Sequence, residues 1–206
     1  MWIDLPPPQP AAEVSIATRG MSKGIAQTDR PQLLAKGYLK LGTVQLGGQW
    51  KNVTSTSADG EAALFASISR KLGTIQLTGG VAYKFQTGVR GHPDATSWEF
   101  SAGASRKFGQ VTLRTTAIYS PDDLGSARRS LYLEGGPALQ FGKGWTASAA
   151  VGHRGRQDGA DYTAFNAGIS RTLKAVQLDV RYYDTNRSDL GTNYHRRLVA
   201  AVKLSL

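Results

Sequence analysis

A nine-residue pattern recurs along the chain and constrains its fold more than any other feature. It is clearest as SRKLGTIQL from Ser69, SRKFGQVTL from Ser105 and SRTLKAVQL from Ser170. Looser forms are YLKLGTVQL from Tyr38 and LQFGKGWTA from Leu139. Each copy ends one apolar–polar run, inserts a two-residue turn and opens another run. The residues after the turns, Val44, Ile75, Val111, Trp145 and Val176, lie 31 to 36 residues apart. A period of that size also belongs to helical solenoids, but the flanking segments alternate with period 2 rather than 3.6. Ile75, Leu77, Gly79, Val81, Tyr83 and Phe85 alternate with Gln76, Thr78, Gly80, Ala82, Lys84 and Gln86. These segments are strands of about 9–12 residues, longer than the usual ~5–6.

Longer polar segments separate the tight turns, at Ser22–Gln32, Thr54–Glu61, Thr87–Thr96, Ser120–Arg128, Gly155–Asp161 and Asp184–Asn193. They carry turn chemistry such as Asp59-Gly60, Pro121-Asp122-Asp123 and Asp158-Gly159. Short and long connections alternate strictly. One strand from Glu13 to Met21, five hairpins and a last strand from Tyr194 to Leu206 make twelve. An even number of long strands, with short turns at one end and longer loops at the other, predicts a bacterial outer-membrane barrel. A spanning strand needs roughly 9–11 residues. The expected fold is therefore an all-β, single 12-stranded antiparallel transmembrane barrel with short periplasmic turns and longer extracellular loops, over residues 13–206. Residues 1–12, with Pro6, Pro7, Pro8 and Pro10, read as an extended tether.

A soluble β-sandwich or lipocalin-like barrel would show the same alternation. The membrane reading is favoured by uniform strand length and by small residues such as Ser101, Gly103, Thr112 and Ser148 on the polar phase. It is also favoured by aromatics near strand ends, among them Trp50, Trp98, Phe108, Tyr119, Phe141, Trp145 and Tyr182, which suit two interfacial girdles. No run approaches the ~18 apolar residues of a spanning helix. No basic segment followed by an apolar one opens the chain, so export implies a signal peptide already removed. The final strand alternates up to Leu206 and resembles the closing strand of outer-membrane proteins.

Two stretches resemble a known family. EVSIATRGMSKGIAQTDRPQLLAKGYLKLG followed by GGQWKNV, and the close YYDTNRSDLGTNYHRRLVAAVKLSL, are similar to the TorF family of porin-like proteins. The matching positions are Arg19, Gly20, Met21, Ser22, Gln27, Thr28, Pro31, Trp50, Asn52 and Val53, while Ile16-Ala17-Thr18 stands where that family carries an aromatic. The resemblance implies an outer-membrane barrel that forms a pore.

With the apolar phase given to lipid, the other phase is lumen. Basic lumen candidates are Lys36, Lys40, Lys51, Lys84, Lys107, Arg114, Arg154 and Arg181, joined by Lys71 and Lys203; the acidic ones are Glu134 and Asp179, with Glu61 and Glu99. The chain carries 25 Lys and Arg against 15 Asp and Glu. A fixed positive excess in a narrow passage favours anions. The expected function is passive passage of small polar or anionic solutes. The alternative is a non-transporting structural or interaction barrel, its interior cations paired into a polar filling and its loops Ser22–Gln32 or Thr87–Thr96 used as contact surfaces for an envelope protein. Arg70, Arg106 and Arg171 share the outward phase near the turns, where with Trp50, Trp98 and Trp145 they are expected at the membrane interface. A lipid bilayer and lipopolysaccharide are the surroundings this predicts; local twist turning the three arginines inward is the other reading.

No enzyme site assembles and no cofactor or metal is expected. There is no Cys, and HExxH, GxSxG and P-loop strings are absent. His92 and His195 lie in or beside loops, and His153, near Asp158 and Asp161, is the one catalytic arrangement to weigh. Nucleic-acid binding would rest on net charge alone, because the aromatics share the apolar phase rather than the basic one.

Overall fold

The computed structural model describes residues 7–55, 57–91, 94–124 and 128–206. The first strand, β1 (Gln9–Ala17), is followed by two short strands, β2 (Met21–Ser22) and β3 (Ile25–Ala26). Then come β4 (Gln32–Leu41), β5 (Val44–Asn52), β6 (Gly60–Leu72), β7 (Ile75–Thr87) and β8 (Thr96–Phe108). The chain continues through β9 (Val111–Asp123), β10 (Arg128–Phe141), β11 (Trp145–Arg156), β12 (Tyr162–Leu173) and β13 (Val176–Thr185) to β14 (Arg197–Ser205). Two short 3-10 turns, Ser188–Leu190 and Thr192–Tyr194, lie between the last two strands.

Twelve of these strands form a closed antiparallel barrel, each paired with its sequence neighbours and β1 closing the ring between β14 and β4. Closure removes the unpaired edges that an open sheet would expose. The barrel is the fold that the alternation predicts. Pairing in β1 starts at Gln9, which faces Lys40, so residues 9–12 of the proline-rich stretch lie in the ladder; residues 1–6 lie outside the described residues.

Four of the five tight turns have two residues, and positive φ falls on the first: Gly42 (62°), Gly73 (58°), Gly109 (59°) and Lys174 (53°). Hairpins of this kind favour Gly there, because a Cβ is disfavoured at positive φ. Lys174 departs from that preference. The fourth turn, Gly142 to Gly144, has three residues rather than the two expected.

Inside and outside are inverted relative to a soluble protein. Large apolar side chains face outward on the barrel strands, with Leu64 at 61% exposure, Leu72 at 67% and Leu198 at 67%. The buried apolar residues are mostly Ala and Tyr, including Ala63, Ala138, Tyr132 and Tyr162. Buried charge accompanies them: Lys51, Glu61, Lys84 and Asp123. A core of this kind is polar, held by hydrogen bonds and ion pairs rather than by apolar packing.

The first long connection departs from expectation. Instead of forming an outer loop, part of Ser22–Gln32 turns into the barrel as the hairpin β2–β3. Its tip is Lys23 (φ 49°) and Gly24 (φ 81°). A Cβ on Gly24 would lie 2.1 Å from that of Ala164, so the tip is seated directly on the opposite wall. The expected first strand to Met21 is divided accordingly: β1 ends at Ala17 and the chain bends inward.

Candidate functional site

The inward hairpin is held by the residues that carry the family resemblance. Thr28, buried at the hairpin base, accepts the Gly20 amide on its hydroxyl at 2.7 Å, and its carbonyl accepts from Arg19 at 3.4 Å. A side chain on Gly20 would lie 2.2 Å from the amide of Gln32. Lys51 donates to the side chain of Gln27 at 2.6 Å. Asn52 donates to the Pro31 carbonyl at 3.1 Å and accepts the Leu33 amide at 2.7 Å. Arg19, Gly20, Gln27, Thr28, Pro31 and Asn52 thus form one clasp between the hairpin and β4–β5.

At its tip the hairpin joins a chain of ion pairs across the loop end of the lumen. Glu61 receives Lys51 at 3.1 Å and Lys84 at 3.2 Å; Lys84 also reaches Glu99 at 3.4 Å. Lys23 bridges Glu99 and Asp123, the latter at 3.2 Å. Asp123 also pairs with Arg154 and accepts the Ser130 hydroxyl at 2.7 Å. The side chains of Lys23 and Asp123 are only 7% and 5% exposed. Tyr162 completes the seat by donating to the Lys23 carbonyl at 2.8 Å.

Asp123 enters this network because of a register shift. Expected to serve in a turn with Pro121 and Asp122, it ends β9, where pairing with β10 slips by one residue between Arg128 and Ser130. A bulge turns the following side chain to the other face, and Asp123 points inward.

The turn end of the lumen is different. Lys40, Lys71 and Lys107 each precede the last residue of a strand, so the repeated Lys-Leu-Gly and Lys-Phe-Gly strings place them just inside that mouth. Lys203 faces Gln177 at the same level. Further in, at the middle of β4, Lys36 sits over the rings of Tyr38 and Phe65, 4.9 Å from each, while Lys40 nearer the mouth is 5.6 Å from Tyr38. Lys107 donates to Gln140 at 3.2 Å. Among the described residues, none of Lys36, Lys40, Lys71, Lys107 and Lys203 pairs with a carboxylate. Phe65 is an inward aromatic, contrary to the expectation that aromatics keep to the outward phase; Gly47 opposite leaves room for its ring.

Between the two ends lies a cavity of about 400 Å³. Hairpin residues Met21 to Gly24 form one side, and Arg114, Glu134, Ser148, Asn166, Arg181 and Tyr183 line the wall. Arg181 is engaged by Asn166 and Ser148 at 2.8 Å and by Asp179 at 3.2 Å. Glu134 accepts the Tyr132 hydroxyl at 2.7 Å.

Outside, Trp50, Trp98 and Trp145 are exposed, and Arg106 and Arg171 lie against Phe108 and Trp145 at 4.7 and 5.1 Å. Arg70 is likewise exposed, opposite Leu77. His153 is exposed and hydrogen-bonded to Thr163 at 3.1 Å, and His195 to the Ser188 carbonyl at 3.1 Å. His92 lies outside the described residues. The clasp and the Asp123 network escaped sequence reading. The signal for the clasp was the cluster of polar residues with Gly20 in the first loop, which reads equally well as solvated turn chemistry.

No protein-family model and no curated protein sequence matches the chain. Solved structures do. A KdgM porin in complex with disordered oligogalacturonate superposes with a TM-score of 0.68 at 11% identity, over 95% of this chain and 99% of that one. A NanC porin gives 0.65 at 10% identity, over 95% and 98%. The COG4313 outer membrane channel from Pseudomonas putida F1 gives 0.55 at 13% identity, over 95% and 94%. At these identities the likeness is one of fold: this chain shares the closed barrel architecture of outer-membrane porins and channels.

Proposed function

We propose that the protein is a bacterial outer-membrane porin that passes small polar or anionic solutes passively through its lumen. The observation that carries this reading is the inversion of polarity: an apolar outer wall around a charged interior that is hollow below the hairpin. Strands of 9 to 14 residues reach across a bilayer when tilted. Exposed Trp and Arg side chains near strand ends match the interfaces of such a membrane. The unpaired lysines at the turn end favour anions at that mouth. The porin neighbours support the same reading, as does the resemblance to the TorF family. In this setting the lipid bilayer and lipopolysaccharide surround the barrel, and the turns and termini face the periplasm.

Conductance and reversal potential in planar bilayers test the proposal. Discrete channels with anion preference are expected. Cation preference would end the anionic part, and absence of channels would end transport. Extraction from cells without detergent would exclude the membrane barrel altogether. One observation favours a second reading, a barrel that does not transport: the seated hairpin and its ion pairs occupy the loop end of the lumen. The same recordings separate the two.

A further inference from the structure

The cavity beneath the hairpin contains an arrangement that simple anion attraction does not explain. Arg114 on β9 faces Gly136 on β10, and Glu134 on β10 faces Thr116 on β9. The two charged residues are therefore diagonal neighbours on one inner face, where side chains of this length can touch. They nevertheless make no ion pair with each other, and both line the same space. Among the described residues Arg114 has no hydrogen-bond or ion-pair partner. Glu134 accepts Tyr132 on Oε2, which leaves Oε1 without a protein partner there.

The two other cations lining the cavity are already engaged: Lys23 is paired with Glu99 and Asp123, and Arg181 is balanced by Asp179 and held by two neutral acceptors. The charges left without an ionic partner in the cavity are thus Arg114 and Glu134. What remains is one free guanidinium and one half-free carboxylate side by side, with Ser148, Asn166 and Thr116 as neutral hydrogen-bonding groups. A guanidinium recognises a carboxylate, often in bidentate fashion. A carboxylate recognises an ammonium. A volume of about 400 Å³ lies within the range of small-molecule sites.

We infer that this chamber binds a zwitterionic solute of amino-acid or dipeptide size, its carboxylate on Arg114 and its ammonium on Glu134. The inference rests on the reading of the lumen as a solute pathway and specifies what rests in its narrow part. A purely anionic solute would meet Arg114 but bring its charge against Glu134; a purely cationic one would do the reverse. The lysines at the turn end would attract anions at the mouth, and the chamber would then select among the solutes that enter.

Three probes of nearly equal size separate these cases at pH 7: alanine (zwitterion), lactate (anion) and alaninamide (cation). Saturation-transfer NMR with the full chain in detergent micelles reads binding, and uptake into proteoliposomes reads passage. The unaltered protein is expected to bind alanine several-fold better than either analogue. Arg114→Gln and Glu134→Gln are each expected to weaken alanine by about tenfold, the size of one charge-assisted hydrogen bond. Glu134→Gln should leave lactate binding unchanged or improved. Lactate bound as well as alanine, or no binding of any probe, would overturn the inference, and this part needs no variant to fold. Alanine binding without uptake of any solute would uphold the site while removing the transport function.

Discussion

The two ends of the lumen are built from similar numbers of basic residues but by opposite principles. At the loop end Lys23, Lys51, Lys84 and Arg154 are interleaved with Glu61, Glu99 and Asp123 in a continuous chain of ion pairs. At the turn end Lys40 and Lys107 have a ring and an amide for neighbours, and among the described residues Lys40, Lys71, Lys107 and Lys203 have no carboxylate partner. The difference teaches what each charge does. A buried cation must be paired, because its desolvation is otherwise too costly, so the loop-end cations serve structure. A cation at an open mouth keeps its hydration and projects its field into the entrance. Counting lysines on the inward phase therefore overstates the anion field: much of it is cancelled where the hairpin sits.

Breaking the paired end should have the largest effect. Asp123→Ala removes the shared acceptor of Lys23, Arg154 and Ser130. Loss of one partner from a buried pair costs about 3–5 kcal/mol. Urea unfolding in detergent, followed by tryptophan fluorescence, should show a midpoint shifted down accordingly, and an unshifted midpoint would mean that the network is not structural. Next comes Gly24→Val. The left-handed φ and the wall at Ala164 leave no place for its side chain, so the hairpin should leave its seat. Single-channel conductance should rise, and an unchanged conductance would show that the hairpin does not narrow the path.

The turn end is tested by the triple change Lys40→Gln, Lys107→Gln and Lys203→Gln. Each alteration should shift stability by less than about 0.5 kcal/mol. The reversal potential in a salt gradient should move away from anion preference, and more so at low ionic strength, where screening is weaker. An unaltered potential would place selectivity elsewhere, with the chamber at Arg114 the next place to look.

The smallest effect is expected outside the barrel, in the loop before β14. The Arg187 guanidinium donates to both oxygens of Asp189, at 2.9 Å each for the shortest contacts. That hydrogen bond holds the Asp189 carboxyl below its ordinary value. A depressed carboxylate pKa contributes ordering above the ordinary value, and the contribution fades as pH falls through the depressed one. Protection of the amides in residues 187–191, meaning their exchange relative to the intrinsic rate at each pH, should therefore fall at acid pH, and Arg187→Ala should remove that dependence while leaving conductance unaltered. Protection with the same pH dependence in the variant would assign the effect to another group.

The barrel was legible in the sequence because its signals are local. Period-2 alternation, strand length and Gly at the first turn position each act within a few residues, and they suffice to count twelve strands and assign their faces. The same locality explains why Lys40, Lys71 and Lys107 could be placed at one mouth. The hairpin was not legible. Ser22–Gln32 has the composition of a solvated loop, and nothing near it in sequence says that its partners are Glu99, Asp123 and Tyr162. Those contacts span 76, 100 and 139 residues. Asp123 was hidden for another reason: a one-residue slip in pairing reverses the face of a side chain, and such a slip leaves no mark on composition.

The sequence by itself determined an even-stranded barrel with an apolar outside and a charged inside, because alternation and turn chemistry are properties of neighbouring residues. Only the tertiary structure decided which inner charges are spent and which are free. That depends on closure of the ring, which brings residues from distant strands face to face and lets the carboxylates of the wall engage its cations and the hairpin's Lys23, while Arg114 and Glu134 line the cavity without pairing.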